Sequence, residues 1–344
     1  MLEENGHMTI LNQKQVVDAL LTPEAYPEPT RKIELIQTHI SFVFLTSRFV
    51  YKVKKAVNFG FLDFSTLAKR RSFCQKELEV NRRLCPEIYL KVVPINKSET
   101  IKIEGNGETI EYALKMRRLP EDAIMTRLLS EHKVDNKTID KLSETIATFH
   151  LNAKTSSEIN EFGSLKTITL NWDENFAQTK KYVGQTITDE EYQCLKRKVN
   201  KFMVANEQLF ESRIKSGKIR DCHGDLHSGN IFITDKICIF DAIEFNDRFR
   251  YSDVASDVAF LAMDLDSKER RDLSDYLIER YIAGSKDLTL TSVLDFYKCY
   301  RAYVRGKVIS FRIDDPDIDP KEKETDIADA HAYFRLAAEY ARKM

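Results

Sequence analysis

The stretch His223-Gly224-Asp225-Leu226-His227-Ser228-Gly229-Asn230, followed at a distance by Asp241, holds oxygen-bearing side chains at spacings that suit one kind of reaction. Moving a phosphoryl group from ATP needs a carboxylate to accept the proton of the attacking hydroxyl. It also needs oxygen ligands that hold Mg2+ between the phosphates. Asp225, on a glycine-flanked loop, fits the base. Asn230, five residues on, offers a carbonyl oxygen without a further charge. The β-branched runs 231–233 and 237–240, around Thr234-Asp235-Lys236, turn the chain back on itself. Asp241 is then expected to lie beside Asn230 as the anionic second ligand of a magnesium clamp. His-Gly-Asp alone would pass for a glycine-rich surface turn. The asparagine at plus five, the strand pair and its terminal aspartate give the spacing a mechanical reason.

Such residues need a scaffold, and 344 residues are enough for about two domains of roughly 150. Hydrophobic residues make up 42% and charged residues 31%, which excludes disorder over most of the chain. The 53 Lys plus Arg and 54 Asp plus Glu leave a net charge of -1. Bulk affinity for nucleic acid or an anionic membrane goes with a large positive excess, so neither is an expected partner. The longest informative apolar run, 258–263, is far short of the roughly 18 residues of a membrane span. The start, Met1-Leu2-Glu3-Glu4-Asn5-Gly6, is too acidic and polar for a secretory or transit signal. Cys74, Cys85, Cys194, Cys222, Cys238 and Cys299 form no Cys-x-x-Cys pair and are expected to stay reduced. The expected location is cytoplasmic.

Along the chain, 1–30 is a lead-in with one helix over about 13–21, closed by Pro23, Pro27 and Pro29. Strand patterns follow at 40–45 and 49–53, a helix at 67–84 before Pro86, and strands at 91–94 and 109–116. Residues 31–117 thus form a small β-rich lobe with one helix. From 118 to 344 the periodicity is helical, over about 139–151, 172–182, 189–216, 251–263, 268–283, 291–312 and 325–342, with the one strand pair at 231–240 between.

The segment His223 to Asn230 with Asp241 resembles the catalytic and metal-binding segment of aminoglycoside phosphotransferases and of choline- and fructosamine-kinase-like enzymes. Val50-Tyr51-Lys52-Val53-Lys54-Lys55, Phe61-Leu62-Asp63-Phe64-Ser65-Thr66 and Arg301 to Lys307 are similar to bacterial "aminoglycoside phosphotransferase family enzyme" proteins, some of which carry an added P-loop kinase domain. The resemblance spans about 33–312. It implies an α+β, bilobal protein-kinase-like fold, with a small β-rich N-lobe, a large helical C-lobe and ATP in the cleft between them. No Gly-x-x-x-x-Gly-Lys-Ser/Thr occurs, so a P-loop kinase would be a separate partner.

This fold implies a strand lysine on the nucleotide phosphates, held by a helix glutamate. Lys52 and Lys54 share one strand face. Lys52 is favoured because Val50 and Lys52 stand where these kinases place a hydrophobic residue and the lysine; Lys54 stays a rival. Glu77 lies on the stripe Phe73, Glu77, Val80, Leu84, whereas Glu79 lies with Gln75, Arg82 and Arg83, so Glu77 is the expected partner. Met116 completes the expected nucleotide-binding set. No Gly-x-Gly-x-x-Gly is present; Gln37 to Ser41 is the equivalent turn. Gly224 and Ile243 replace the protein-kinase arginine and the Asp-Phe-Gly glycine, which argues against control by activation-loop phosphorylation. The long segment 58–71 is a candidate cover for the ATP site.

His223 is expected to orient the loop and Asp253 to brace it, as in the resembling enzymes. The remaining histidines show no metal-ligand spacing. Glu244 and Asp247 suggest a cationic acceptor, while Arg301, Arg305 and Lys307 suggest an anionic one. Trp172 is read as core or pocket wall. The expectation is a cytoplasmic, Mg2+-dependent ATP phosphotransferase acting on a small-molecule hydroxyl. The rivals are a protein Ser/Thr/Tyr kinase and a nucleotide-binding scaffold.

Overall fold

Period-two patterning in the first third of the chain produces antiparallel strands β1 (Glu34–Gln37), β2 (Ser41–Leu45), β3 (Phe49–Lys54), β4 (Tyr89–Lys97), β5 (Ile101–Ile103) and β6 (Glu108–Arg117). In a computed structural model of the protein, which describes residues 10–60, 62–316 and 318–344, they form one sheet in the order β1-β2-β3-β6-β4-β5. Phe61, part of the motif at 61–66, and the opening residues 1–9 lie outside the described residues. The short strands β1 and β5 had no separate signal in the sequence.

One sheet face buries Phe44, Tyr51, Val53, Val93, Ile95 and Ala113 against helix α1 (Ile10–Leu20), through Val16 and Leu20. That helix is more than a lead-in. Its Gln13 is buried, donates to the Lys54 carbonyl at 2.9 Å and to Glu111 at 3.1 Å, and accepts from the Ala56 amide at 2.8 Å. Because Tyr51 and Val53 point into this core, Val50, Lys52 and Lys54 turn to the opposite face. Helix α2 (Leu67–Asn81) lies there, started by Thr66, whose hydroxyl accepts from the Lys69 amide. It buries Glu77, Leu78, Val80 and Asn81 and stops at Asn81, three residues earlier than the expected 84.

The chain divides into two compact units. One runs through Ile124 and takes in Phe232–Asp247; the other comprises Met125–Ile231 and Arg248–Met344. The second unit holds helices α3 (Asn136–Asn152), α4 (Leu165–Thr179), α5 (Asp189–Ala205), α6 (Glu207–Lys215), α7 (Val254–Ser267), α8 (Arg271–Ser285), α9 (Leu290–Arg312) and α10 (Pro320–Lys343). The expected helix at 189–216 is two, because Asn206 leaves helical geometry at φ -119°, ψ 23°. Trp172 lies inside α4, not at its head, fully buried among Phe176, Phe296, Tyr300 and Tyr303. Every residue from Val254 to Leu265 is buried, Asp257 and Asp264 included.

Strand β7 (Ile219–Asp221) pairs with β10 (Tyr251–Asp253), a ribbon where the residue pattern predicts a loop and a helix start. The expected pair is present as β8 (Ile231–Ile233) and β9 (Ile237–Ile239). Within the first unit, Cys85 and Cys238 form a disulfide across a Cα–Cα distance of 4.9 Å. That corrects the expectation of thiols throughout. Pairing at a separation of 153 residues leaves no spacing signature in the sequence. Among the described residues, no helix is long and apolar enough to cross a membrane.

Candidate active site

In the first unit the strand alternation puts both lysines on one carboxylate. Lys52 Nζ donates to Glu77 Oε1 at 2.8 Å and to Asp241 Oδ1 at 2.7 Å. Lys54 Nζ donates to Glu77 Oε2 at 2.7 Å and also to Glu244. The two differ in access: the Lys52 side chain is 15% exposed and that of Lys54 only 1%. Burial alone would lower both ammonium pKa values. Asp241 and Glu77 around Lys52, and Glu244 and Glu77 around Lys54, more than reverse it, and both stay charged. Glu77 is the mirror case: burial would raise its carboxyl, yet Lys52 and Lys54 draw it down to about 2. Glu244 ends on the other side, raised above the ordinary carboxylate value by burial despite Lys54.

Asp241 follows β9 with φ at 63°, the left-handed region that costs most side chains energy and that aspartate tolerates better than most. Its amide donates to Tyr89 Oη at 3.1 Å, and the next amide, Ala242, donates to Asn81 Oδ1 at 2.8 Å. Asn81 in turn donates to the Glu77 carbonyl at 2.9 Å. Helix α2 and the segment after β9 are therefore fastened by backbone, and the Cys85–Cys238 bond joins the same two pieces of chain. Met116, on β6, stands opposite Val50 on β3 and Tyr89 on β4. Phe64, from the long segment after β3, packs under the Lys54 ammonium at 4.8 Å, so this part of that segment walls the buried lysine.

In the second unit the loop after β7 is held from its backbone. The amides of His223 and Gly224 both donate to Asp257, each at 2.9 Å. Gly224 sits at φ +88°, a conformation that explains a glycine where protein kinases carry arginine. Asp257 also meets His150 Nε2 at 3.1 Å, and Arg301 Nη1 donates to the Gly224 carbonyl at 2.9 Å. The Asp225 amide donates to His223 Nδ1 at 3.3 Å, the orienting bond expected of that histidine. Asn230 Nδ2 donates to the Asp225 carbonyl at 3.0 Å and to Asp225 Oδ2 at 2.9 Å. His227 takes the Gly229 amide on Nδ1 at 3.1 Å, which leaves its Nε2 as the N–H facing Asp225 Oδ2, 3.5 Å away. Burial would raise the Asp225 carboxyl; His227, His223 and Arg305 outweigh it and hold it well below the usual range.

Of the expected set, then, Lys52, Glu77 and Asp241 come together in the first unit, and Asp225 and Asn230 in the second. The bracing acid is Asp257, not Asp253. Asp253 instead caps α7 by accepting from the Ala255 amide at 2.8 Å and pairs with buried Arg213. A lone charge inside the apolar run 254–263 was the signal for Asp257. Glu244 is taken by Lys54, and Arg301 by Gly224 and Ser256, so neither is available to an acceptor. His150, Cys222 and Asp257 bring ligand-type atoms within 4.8 Å of one another. The Asp257 oxygens there serve two backbone amides, which is the chemistry of a brace.

Each of the two residues expected to take magnesium offers an oxygen of the kind that cation accepts. Asn230 uses its amide nitrogen on Asp225, which leaves its carbonyl oxygen for a cation. Asp241 engages Lys52 through Oδ1 while 43% of its side chain stays exposed.

Residues 63–296 match the phosphotransferase enzyme family, and the chain belongs to it. Uncharacterised proteins of Mycobacterium bovis and Mycobacterium tuberculosis are each 32% identical over 277 residues, 80% of this chain and 54% of theirs. The chain thus spans about half the length of these relatives. Among solved structures, a choline/ethanolamine kinase family protein from Mesorhizobium loti superposes with a TM-score of 0.51 at 11% identity, covering 97% of this chain and 100% of that one. An ADP-bound aminoglycoside phosphotransferase gives 0.47 at 14%, covering 90% and 94%. The fold is the expected α+β, protein-kinase-like one.

Proposed function

We propose that the protein is a Mg2+-dependent phosphotransferase that moves the γ-phosphoryl group of ATP to a hydroxyl of a small molecule. The acceptor oxygen bonds to the γ-phosphorus and its proton passes to Asp225. The bond from phosphorus to the β–γ bridging oxygen breaks, and ADP leaves. Lys52, positioned by Glu77, takes phosphate oxygens; Asn230 and Asp241 are the residues assigned to magnesium, which neutralises charge on the phosphates when bound. Met116 is assigned to the nucleotide.

The observation that carries this reading is the double grip on Lys52, by a helix carboxylate at 2.8 Å and by the aspartate after β9 at 2.7 Å. A scaffold has no use for a charged lysine kept partly open between two acids.

The test follows label from γ-labelled Mg-ATP into the small-molecule and protein fractions of a cell extract, with wild type and Asp225→Asn side by side. Wild-type-only label in small molecules is the expected result. Label on protein favours a protein kinase, and bound nucleotide without transfer refutes the enzyme reading.

A further inference from the structure

Helix α9 carries a row of basic side chains, and among the described residues all but one are engaged. Lys298 pairs with Asp266 at 2.9 Å, Arg301 donates to Gly224 and Ser256, Lys307 donates to Asn175 at 2.6 Å and Gln178 at 2.8 Å, and Arg312 pairs with Asp326 at 3.2 Å. Arg305 makes no hydrogen bond and no ion pair among the described residues, although its Nε is buried. Its guanidinium lies 5.7 Å from the ring centre of Tyr333 on α10, and that contact limits the orientations it can take.

Its place is not arbitrary. Arg301 reaches the Gly224 carbonyl, next to the base, and Arg305 stands one helical turn further along the same face. Arg305 is near enough to Asp225 for their charges to interact. No salt bridge joins the two, so the guanidinium is not consumed by the base. A permanently charged, planar fork with free N–H groups suits the paired oxygens of a phosphate or carboxylate.

We propose that Arg305 is an oxyanion-binding residue at the Asp225 loop, taking the oxygens of an anionic group that arrives there with the reacting molecules. The inference rests on the phosphotransferase reading for the origin of that anion. Two sources share the chemistry: the phosphoryl group in transfer, or an acid group of the acceptor itself. In the second case the acceptor is an anionic alcohol, such as a hydroxy acid or a sugar phosphate, and not an amine.

The test has a binding arm that needs no turnover. Equilibrium dialysis with labelled inorganic phosphate compares full-length wild type, Arg305→Gln, Arg305→Lys and Lys52→Met. Phosphate affinity is expected to fall at least tenfold in Arg305→Gln, to recover in part in Arg305→Lys, and to persist in Lys52→Met. Absence of phosphate binding by wild type, or equal affinity in wild type and a folded Arg305→Gln, overturns the proposal. So does loss in Lys52→Met alone. Should Arg305→Gln not fold, Arg305→Lys decides: loss of the fork must weaken phosphate binding, and equal affinity overturns the idea.

Kinetics then separate the sources. A tenfold or greater fall in acceptor-free ATP hydrolysis identifies the transferring phosphoryl group. Unchanged hydrolysis with reduced label in the small-molecule fraction identifies the acceptor. Neither change, in a variant that has lost phosphate, overturns the link to the reaction. If wild type turns over no ATP but Arg305→Gln loses phosphate, the enzyme reading falls and the anion site stands. If wild type transfers phosphate while Arg305→Gln keeps its phosphate affinity and its rates, the anion site falls and the enzyme reading stands.

Discussion

Lys52 and Lys54 share Glu77, but only Lys52 keeps a route to solvent, and their substitutions should separate cleanly. Lys54→Met leaves Glu77 short of a cation and Glu244 unpaired in the interior. Breaking such a buried pair costs about 3–5 kcal/mol, to be read by urea unfolding. Lys52→Met should leave stability much closer to wild type and weaken nucleotide binding, as calorimetry with Mg-ATP would show. Equal destabilisation by both would remove the distinction. Asp225→Ala should lower turnover by about 10²–10⁴, the usual range for a general base, with nucleotide affinity retained. At this scale the sequence was informative on contacts: Asn230 meets Asp225 five residues before it, and Glu77 rather than Glu79 meets Lys52. It was silent on Lys54 with Glu244, because a contact across 190 residues has no local pattern.

Between elements, the fastening of α2 to the segment after β9 is redundant. Asn81, Tyr89 and the Cys85–Cys238 bond all act on the pieces that carry Glu77 and Asp241. A non-reducing peptide map should recover the Cys85 and Cys238 peptides as one species. The double serine variant should lose about 2–4 kcal/mol relative to the oxidised chain, the typical worth of such a link. Two separate thiol peptides under non-reducing conditions would contradict it. The long periodic helices and strands β2, β3, β4 and β6 were legible because burial on one face imposes a period. The ribbon of β7 with β10 was not: three-residue strands are too short for a period to show. Asp253 shows why its role was misread, since an aspartate at a helix start serves as cap or brace with the same sequence.

For the whole molecule, the depressed Glu77 carboxyl sets an acid limit. Its unfolded value is 4.5 and its folded value about 2, so the unfolded chain takes up the proton first as pH falls. The stabilisation is therefore complete above about pH 4.5 and is lost as pH drops towards 2. A shift of that size corresponds to about 3 kcal/mol. Unfolding free energies of wild type and Glu77→Gln should differ most at pH 7 and converge only as pH falls through about 2; a gap independent of pH would refute the assignment. The α+β architecture could be read from the change of periodicity after Pro120. The return of Phe232–Asp247 to the first unit could not, because a strand pair carries no mark of which core it will join.

That return has a consequence for how the protein is made. When Ile124 is added to the nascent chain, Lys54 and Glu77 have already been synthesised, but Asp241 and Glu244 have not. At about 5–20 residues per second, the wait until Asp247 is added lasts roughly 6–25 s. Throughout it, two lysines compete for one carboxylate in a half-built interior. A nascent chain arrested at Ile124 should therefore be open to protease, and one extended past Asp247 resistant in the same segment. The first unit is finished only after Met125–Ile231 of the second has been translated.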